Sequence, residues 1–371
     1  MRLPFTLKQL FISCLVFFVL CFLFLKFYQQ PKKWRNFERA FYTWGGYYSE
    51  SDLDTLKVQK VYQKFFEVGL NNVLEPVPVD ELGSYGLISN YRSDAPDHRA
   101  PFLKEFVPVV YIQNTVLLQK DFNAADLAHK VWHLLGLNLD GLNNDGYDLQ
   151  VHEFQIDCDW TPRTRNNYFS FLVAFKKELR ASAQFGHCQL SATLRLYPYK
   201  YPNKMGFLPN EVDRAMLMCY NLSAPDHTGQ RNSIFSLEVL KAYLQNTEPY
   251  PTDLDIALPV YSMAYVYQDR QLVKLLRNTD STFNSSLQAV DGLWYAVPKD
   301  TVIDEFYLRK GHRVKLETIH YSDLKSALQI INEEVFFRMR PTLSFFSLES
   351  IYDNKSISAA EFARLYRGSQ H

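Results

Sequence analysis

The sequence carries no surplus of charge: 40 Lys and Arg stand against 40 Asp and Glu. A nucleic-acid binder needs a basic face to neutralise phosphates. The body of the chain has no Lys/Arg block that would supply one, so no nucleic-acid partner is expected. Glycine and proline are few, 14 and 17 in 371 residues, which excludes a fibrous or low-complexity chain. Cysteine is scarcer still, five residues with two of them in the first segment. The other three, Cys158, Cys188 and Cys219, have neither the spacing of a disulfide framework nor a CxxC, so no disulfide scaffold and no zinc site is signalled. No GxSxG elbow and no P-loop occurs. His129 and His133 stand four apart in HKVWH, but Lys130 occupies the place of the glutamate in HExxH, and the helix should lie on an outer ring. They read as an exposed pair. His152 falls at the start of a strand, away from any site at strand ends. No metal and no cofactor is expected.

What the chain does have is 47% hydrophobic residues and 15% aromatics, 24 Tyr and 28 Phe among them. That suits a globular protein with an aromatic core, or a groove for sugar or peptide. From Leu10 to Phe27 the run LFISCLVFFVLCFLFLKF contains one charge, Lys26. It is near the lower length for a spanning helix and long for a signal-peptide core, with no small-x-small cleavage site after it. An uncleaved membrane anchor is therefore expected over 10–27, behind a short tail over 1–9 and followed by a linker over 28–37. Arg2 and Lys8 precede the run, whereas Lys26, Lys32, Lys33, Arg35 and Arg39 follow it. The positive-inside rule would put that flank in the cytoplasm. A short N-terminal tail before an exported enzyme domain favours the periplasmic or extracellular side, the placement expected here.

Beyond the anchor, short apolar runs alternate with amphipathic stretches, the pattern of an α/β fold with a parallel sheet. Strands are predicted over 39–44, 60–68, 107–113, 153–159, 190–197, 215–220, 256–262 and 343–348. Helices are predicted from Ser51, over 124–135, from about 164 to 182, and over 236–244, 322–339 and 359–367. Eight such units predict a (β/α)8 TIM barrel over 38–371, with an insertion at about 265–320. The insertion should contain a hairpin of Phe306–Leu308 with Val314–Glu317 around Lys310, Gly311 and His312. An open doubly wound sheet is the alternative, weakened by the lack of a glycine-rich loop after the first strand.

Barrel active sites lie at the C-terminal ends of the strands. The fourth strand ends Gln155-Ile156-Asp157-Cys158-Asp159-Trp160, so Asp157 and Asp159 face one way with Cα atoms roughly 6–7 Å apart. Carboxylates crowded on one face raise the cost of ionising both, which favours a general acid with a helper. The structural alternative is that one caps a helix near Thr161 and the other pairs with an arginine. Nearby strand ends offer Glu67, Arg195 and Tyr197, and Tyr220 and Asn221, while Tyr42 and Trp44 offer a stacking surface. Each has a plainer reading: an ion pair for Glu67 and Arg195, packing for the aromatics. Cys158 and Cys219 alternate away from these residues and read as packing positions.

QIDCDWTPRTRNNYFSFL, LSATLRLYPYKYPNKMGFLPNEVDRAMLMCYNL, RAFYTW and VPVVYIQN together resemble an uncharacterised family of exported bacterial barrel proteins, often lipoproteins, described as glycoside-hydrolase-like. The resemblance spans most of the chain after about residue 38 and is loose after 260. More distantly, the chain is similar to family-eighteen chitinase-type glycosidases, whose fourth strand ends DxxDxDxE and whose sixth ends Met-x-Tyr-Asp. Asp157 and Asp159 match the DxD pair; Met218, Tyr220 and Asn221 match the Met, Tyr and Asp; Thr161 stands where the family has its acid glutamate. Together with the anchor, the resemblance implies a membrane-held barrel acting on an extracytoplasmic carbohydrate, with Asp159 or Glu67 in place of the glutamate; Asp159 is the preferred general acid and Asp157 its charge partner. Glu67, Arg195, Tyr197, Tyr220, Asn221, Tyr42 and Trp44 would hold the substrate. The rivals are a catalytically inactive barrel that binds glycan or an envelope protein, and a structural envelope component with a large exposed apolar patch.

Overall fold

The computed structural model describes residues 36–367 apart from 46–47, 82–90, 93–101, 145–148, 227, 278–282, 284, 304–305 and 354–356. The anchor and linker expected over 10–37 thus lie outside the described residues save for 36–37, as does the tail over 1–9. No helix among the described residues is long and apolar enough to cross a membrane.

Eight parallel strands close into a ring: β1 (Glu38–Thr43), β2 (Lys60–Leu70), β3 (Phe102–Ile112), β4 (Glu153–Asp157), β5 (Gln189–Arg195), β6 (Arg214–Met218), β7 (Asp253–Pro259) and β8 (Thr342–Phe346). Each pairs with the next, and β8 returns to β1. The period of two along each strand sorts its side chains. On β4, Phe154 and Ile156 join the large core between barrel and helices, whereas Gln155 points into the barrel and bonds Tyr42 and Ser191. The fourth strand stops at Asp157 and the fifth at Arg195, both shorter than predicted. Asp159 therefore stands on the loop beyond β4. Tyr197 belongs to a short helix, labelled α3 here (Leu196–Lys200), and not to a strand.

The outer ring follows from amphipathic stripes. Helix α1 (Ala124–Asn144) buries Leu127, Val131, Leu135, Leu139 and Leu142, and α2 (Arg165–Ala181) buries Tyr168, Phe171, Leu172, Phe175 and Leu179. These i, i+3/i+4 spacings put each set on one face. The Asn123 side chain accepts from the amides of Ala125 and Asp126 to open α1. Ser236 accepts from the Val239 amide to open α4 (Leu237–Leu244), and Ser358 with Glu361 forms a capping box on the last helix, Ala359–Leu365. Helix α1 runs nine residues past its predicted end at 135, because Leu139 and Leu142 continue the buried stripe.

The floor of the barrel is ionic. The Lys60 ammonium lies 3.2 Å from Glu38, 3.2 Å from Glu105 and 3.0 Å from Glu153, and Arg214 forks onto Asp255 beside it. Burial works against the charge on Lys60, yet the three carboxylates hold its pKa above the ordinary lysine value. Burial raises Glu105 despite Lys60, whereas Glu38 is lowered, because Lys60 and a hydrogen bond from Thr342 outweigh its burial.

Between β7 and β8 lies a five-stranded antiparallel sheet, in the order Gln271–Arg277, Met263–Gln268, Arg313–Glu317, Trp294–Ala296, Gln288–Asp291. It has its own small core around Ala264, Val266, Phe283, Val314 and Leu316. The predicted hairpin is corrected here. Phe306–Leu308 pairs with Thr301–Ile303, while Arg313–Glu317 enters the larger sheet. The reason is burial: Lys315 and Glu317 form a 3.0 Å pair with no exposed side-chain surface. Glu317 also accepts from the Ser233 hydroxyl and amide. That strand is thereby tied to the segment leading into α4, and the turn at Gly311 merely links two different sheets.

Candidate functional site

Barrel register brings residues from distant parts of the chain into one rung. Glu67 on β2 stands opposite Tyr111 on β3, and Tyr111 opposite Asp157 on β4; on the far side Arg195 on β5 stands opposite Met218 on β6. Together with Asp159, Thr193, Tyr220, Asn221, Trp44 and Phe346 they line a cavity of about 280 Å3 at the C-terminal mouth.

Asp157 is the most perturbed carboxyl there. Burial pushes it up to about 7, and the neighbouring charge of Asp159 adds to this. A hydrogen bond from Thr193 and the charges of Arg195 and Lys64 pull the other way. The Thr193 hydroxyl donates to Asp157 Oδ1 at 2.6 Å and accepts from the Cys158 amide at 3.2 Å, so its one proton is committed to the carboxyl. Asp159 is half exposed, and its Oδ1 lies 3.4 Å from an Arg195 guanidinium nitrogen. Across the mouth, Glu67 has both oxygens engaged: Lys64 sits 3.1 Å from one, and Gln113 Nε2 donates to the other at 2.6 Å. Lys64 is buried under the Trp44 ring, 5.4 Å from its centroid. Glu67 is thus ion-paired through one oxygen and hydrogen-bonded through the other, and Asp157 is the carboxyl of the mouth whose proton affinity its surroundings raise.

Aromatic rings wall the opening. Phe346 lies edge-on to Trp44 and stacked on Tyr220, both with centroids 5.5 Å away. Tyr261 meets Tyr220 edge-on, and its hydroxyl donates to Asn221 Oδ1 at 2.5 Å. Asn221 takes a positive φ of 52°, a conformation that asparagine adopts at low cost. A second cavity of about 290 Å3 adjoins the first, sharing Arg195, Met218, Tyr220 and Asn221 with it. Thr161 lines this second space. Its amide donates to Thr164 Oγ1 at 2.9 Å, so the residue at the resemblance's acid position belongs to the turn that opens α2.

Of the sequence-predicted residues, Asp157, Asp159, Glu67, Arg195, Tyr220, Asn221 and Trp44 meet in the first cavity. Two do not. Tyr42 is fully buried beneath it, stacked on Tyr62 at 4.8 Å with its hydroxyl donated to Gln155; it is barrel core and offers no stacking face. Tyr197 lies past the strand end, where the helical turn rotates it away from Arg195's face. Its ring packs on Tyr201 at 4.9 Å and lines only the second cavity. Reading the sequence missed Tyr111, Thr193, Tyr261, Phe346 and Arg277. The first two carry the strand-end signal that singled out Asp157, whereas Arg277 comes from the inserted sheet and has none. Cys158 and Cys219 are buried in the outer core, and His129 is exposed, 3.5 Å from Glu178. Among the described residues no group of three or more His, Cys, Asp or Glu is arranged to hold a metal ion.

A carboxyl raised in the folded protein penalises its ionised form. For Asp157 that penalty is absent below about pH 4, the unfolded value. It grows as the pH rises to about 7 and is complete above that. Asp157→Asn, which cannot ionise, is expected to be more stable than the unaltered chain at pH 8, with the gap narrowing as pH falls toward 4. Urea midpoints measured across that range check this; a gap that is constant with pH would contradict it.

No family model and no curated protein matches the chain. Solved structures do. The spore cortex-lytic enzyme SleL of Bacillus megaterium is 12% identical, with 91% of this chain and 75% of that one covered at a TM-score of 0.51. The C-terminal domain of a putative chitinase from Desulfitobacterium hafniense is 13% identical, with 89% of this chain and 99% of that one covered, also at 0.51. At such identities the likeness is one of fold: the chain forms a (β/α)8 barrel like theirs.

Proposed function

We propose that the barrel binds an extracytoplasmic carbohydrate at its C-terminal mouth and hydrolyses it by carboxylate acid/base chemistry, with the run over 10–27 holding it to a membrane. The observation that carries this reading is the Asp157 carboxyl, pushed up to about 7 inside a cavity walled by aromatic rings, with a second carboxylate two residues on. A group poised near neutral pH is what general acid catalysis needs. Sugar rings present C–H faces to aromatic side chains, and Trp44 and Tyr220 supply such faces.

In this reading the two aspartates hold one proton between them. Arg195 pairs with Asp159 at rest, and the raised proton affinity of half-buried Asp157 makes it the store of that proton. A ligand that draws Arg195 aside frees Asp159 to take the proton from Asp157 and deliver it to the leaving oxygen as the glycosidic C–O bond breaks. Water supplies the new oxygen at the anomeric carbon and returns its proton to the aspartate pair. Glu67, fixed by Lys64 and Gln113, stabilises the positive charge that develops on the sugar.

One observation favours a second reading, a barrel that binds glycan or an envelope protein without cleaving it. Thr161 cannot donate a proton as a glutamate would, and its backbone is committed to the α2 turn. A binding and hydrolysis screen of the full chain against a glycan panel, beside Asp157→Asn and Asp159→Asn, separates the two. Cleavage by the unaltered chain that is lost in both variants supports the hydrolase. Binding without cleavage in all three supports the inactive barrel, and no binding to any saccharide would sink both.

A further inference from the structure

We infer that the mouth selects an acidic saccharide, one that bears a carboxylate, and that Arg277 of the inserted sheet and Arg195 of the barrel receive that group. This deepens the proposed carbohydrate reading and rests on it.

The inference starts from the charges that line the first cavity. Its described ionisable carboxylates and cations are Glu67, Asp157 and Asp159 against Arg195 and Arg277. Glu67 is neutralised locally by Lys64, and Asp159 by Arg195. Arg277 is exposed at the end of the inserted strand, opposite Met263, and no carboxylate among the described residues pairs with it. Desolvation favours the neutral form of half-buried Asp157, so below about pH 7 the unpaired Arg277 leaves the mouth with a cation in surplus. A neutral sugar entering here would replace the guanidinium's water with uncharged hydroxyl acceptors only. A carboxylate would accept two parallel N–H bonds from the same fork.

The Arg195 side supports the same ligand. Its existing partner, Asp159, is itself a carboxylate; the pair is 3.4 Å apart and half exposed on both sides, so it exchanges readily for a ligand carboxylate. Arg195 also lines both cavities. Beyond it the second space is walled by Leu196, Pro198 and Met205, apolar surface suited to a ring face or an alkyl substituent next to the charged group. A ligand reaching from the aspartates into that space would pass its acidic group across Arg195. In doing so it would free Asp159, the event the proposed mechanism requires.

The test is calorimetric binding of the full chain to oligosaccharides prepared in pairs, each as the carboxylate and as its carboxyl-reduced alcohol: uronic-acid oligomers, and N-acetylhexosamine oligomers with an O-carboxyalkyl group. The carboxylate member of at least one pair should bind about tenfold tighter, the worth of one charge-assisted contact. Arg277→Gln should bring the two members within about threefold. Lys130→Gln, an equal charge change on the exposed face of α1 next to Asp126, should keep the preference. Equal or weaker binding of every carboxylate member overturns the inference and leaves the carbohydrate reading standing. So does a preference that survives Arg277→Gln or is lost equally in Lys130→Gln, which would make it a net-charge effect. Binding of no saccharide at all overturns both.

Discussion

Asp157→Asn is expected to lower kcat about a hundred- to ten-thousandfold on any glycoside the unaltered chain hydrolyses, the usual span for losing a general acid or its proton store. The fold should survive, because asparagine keeps an oxygen for the Thr193 hydroxyl, 2.6 Å away in the unaltered chain, and gives up only a carboxyl the site prefers uncharged. Asp159→Asn should cost a similar factor, and the double variant little more than either single one, since residues that act as a unit are not additive. The pH profile gives a separate signature. With the proton held at about 7 by burial, activity needs the protonated pair and should fall as pH rises through that value. Initial rates across pH 5–9 read this directly. A flat alkaline limb, or an Asp157→Asn variant with full turnover, would remove the aspartate pair from the chemistry.

The second large effect belongs to the barrel floor. Lys60→Met should destabilise the protein by about 3–5 kcal/mol at pH 7, the usual result of removing one member of a buried ionic group and leaving its partners uncompensated. Here three carboxylates lose their common cation, and Glu153 among them is almost fully buried. The pH dependence tests the cause. Without Lys60 the burial that raises Glu105 and Glu38 is left unopposed by that ammonium, so their neutral forms are favoured in the fold and stability should recover as pH falls. Urea midpoints at pH 7 and pH 5 should therefore differ less between variant and unaltered chain at pH 5. An unchanged deficit would assign the loss to packing of the lysine stem instead.

Much of the framework was legible because it is local. Apolar runs alternating with amphipathic helices marked every barrel strand, and the period of two already set Asp157 on the face opposite Cys158, which packs in the outer core. The ends of elements were less legible, since strand pairing stops where a partner stops. β5 and β6 end together at the pair Arg195–Met218, and Tyr197 falls beyond it on a helix. The inserted sheet was the least legible part. Its strands alternate as hairpins do, but a buried Lys315–Glu317 pair anchored to Ser233, 84 residues earlier, chose their partners.

By itself, then, the sequence determined the barrel, the outer helices and the two aspartates at a strand end, all readable from side chains within a few residues of one another. Tertiary structure alone decided what surrounds those aspartates. Closing the ring set Glu67, Tyr111 and Asp157 in one rung, sank Tyr42 below the mouth and swung Arg277 over it from a separate sheet. The physical reason is range: periodicity says which way a side chain faces, whereas register, burial and the electrostatics they create depend on contacts between segments far apart in the chain.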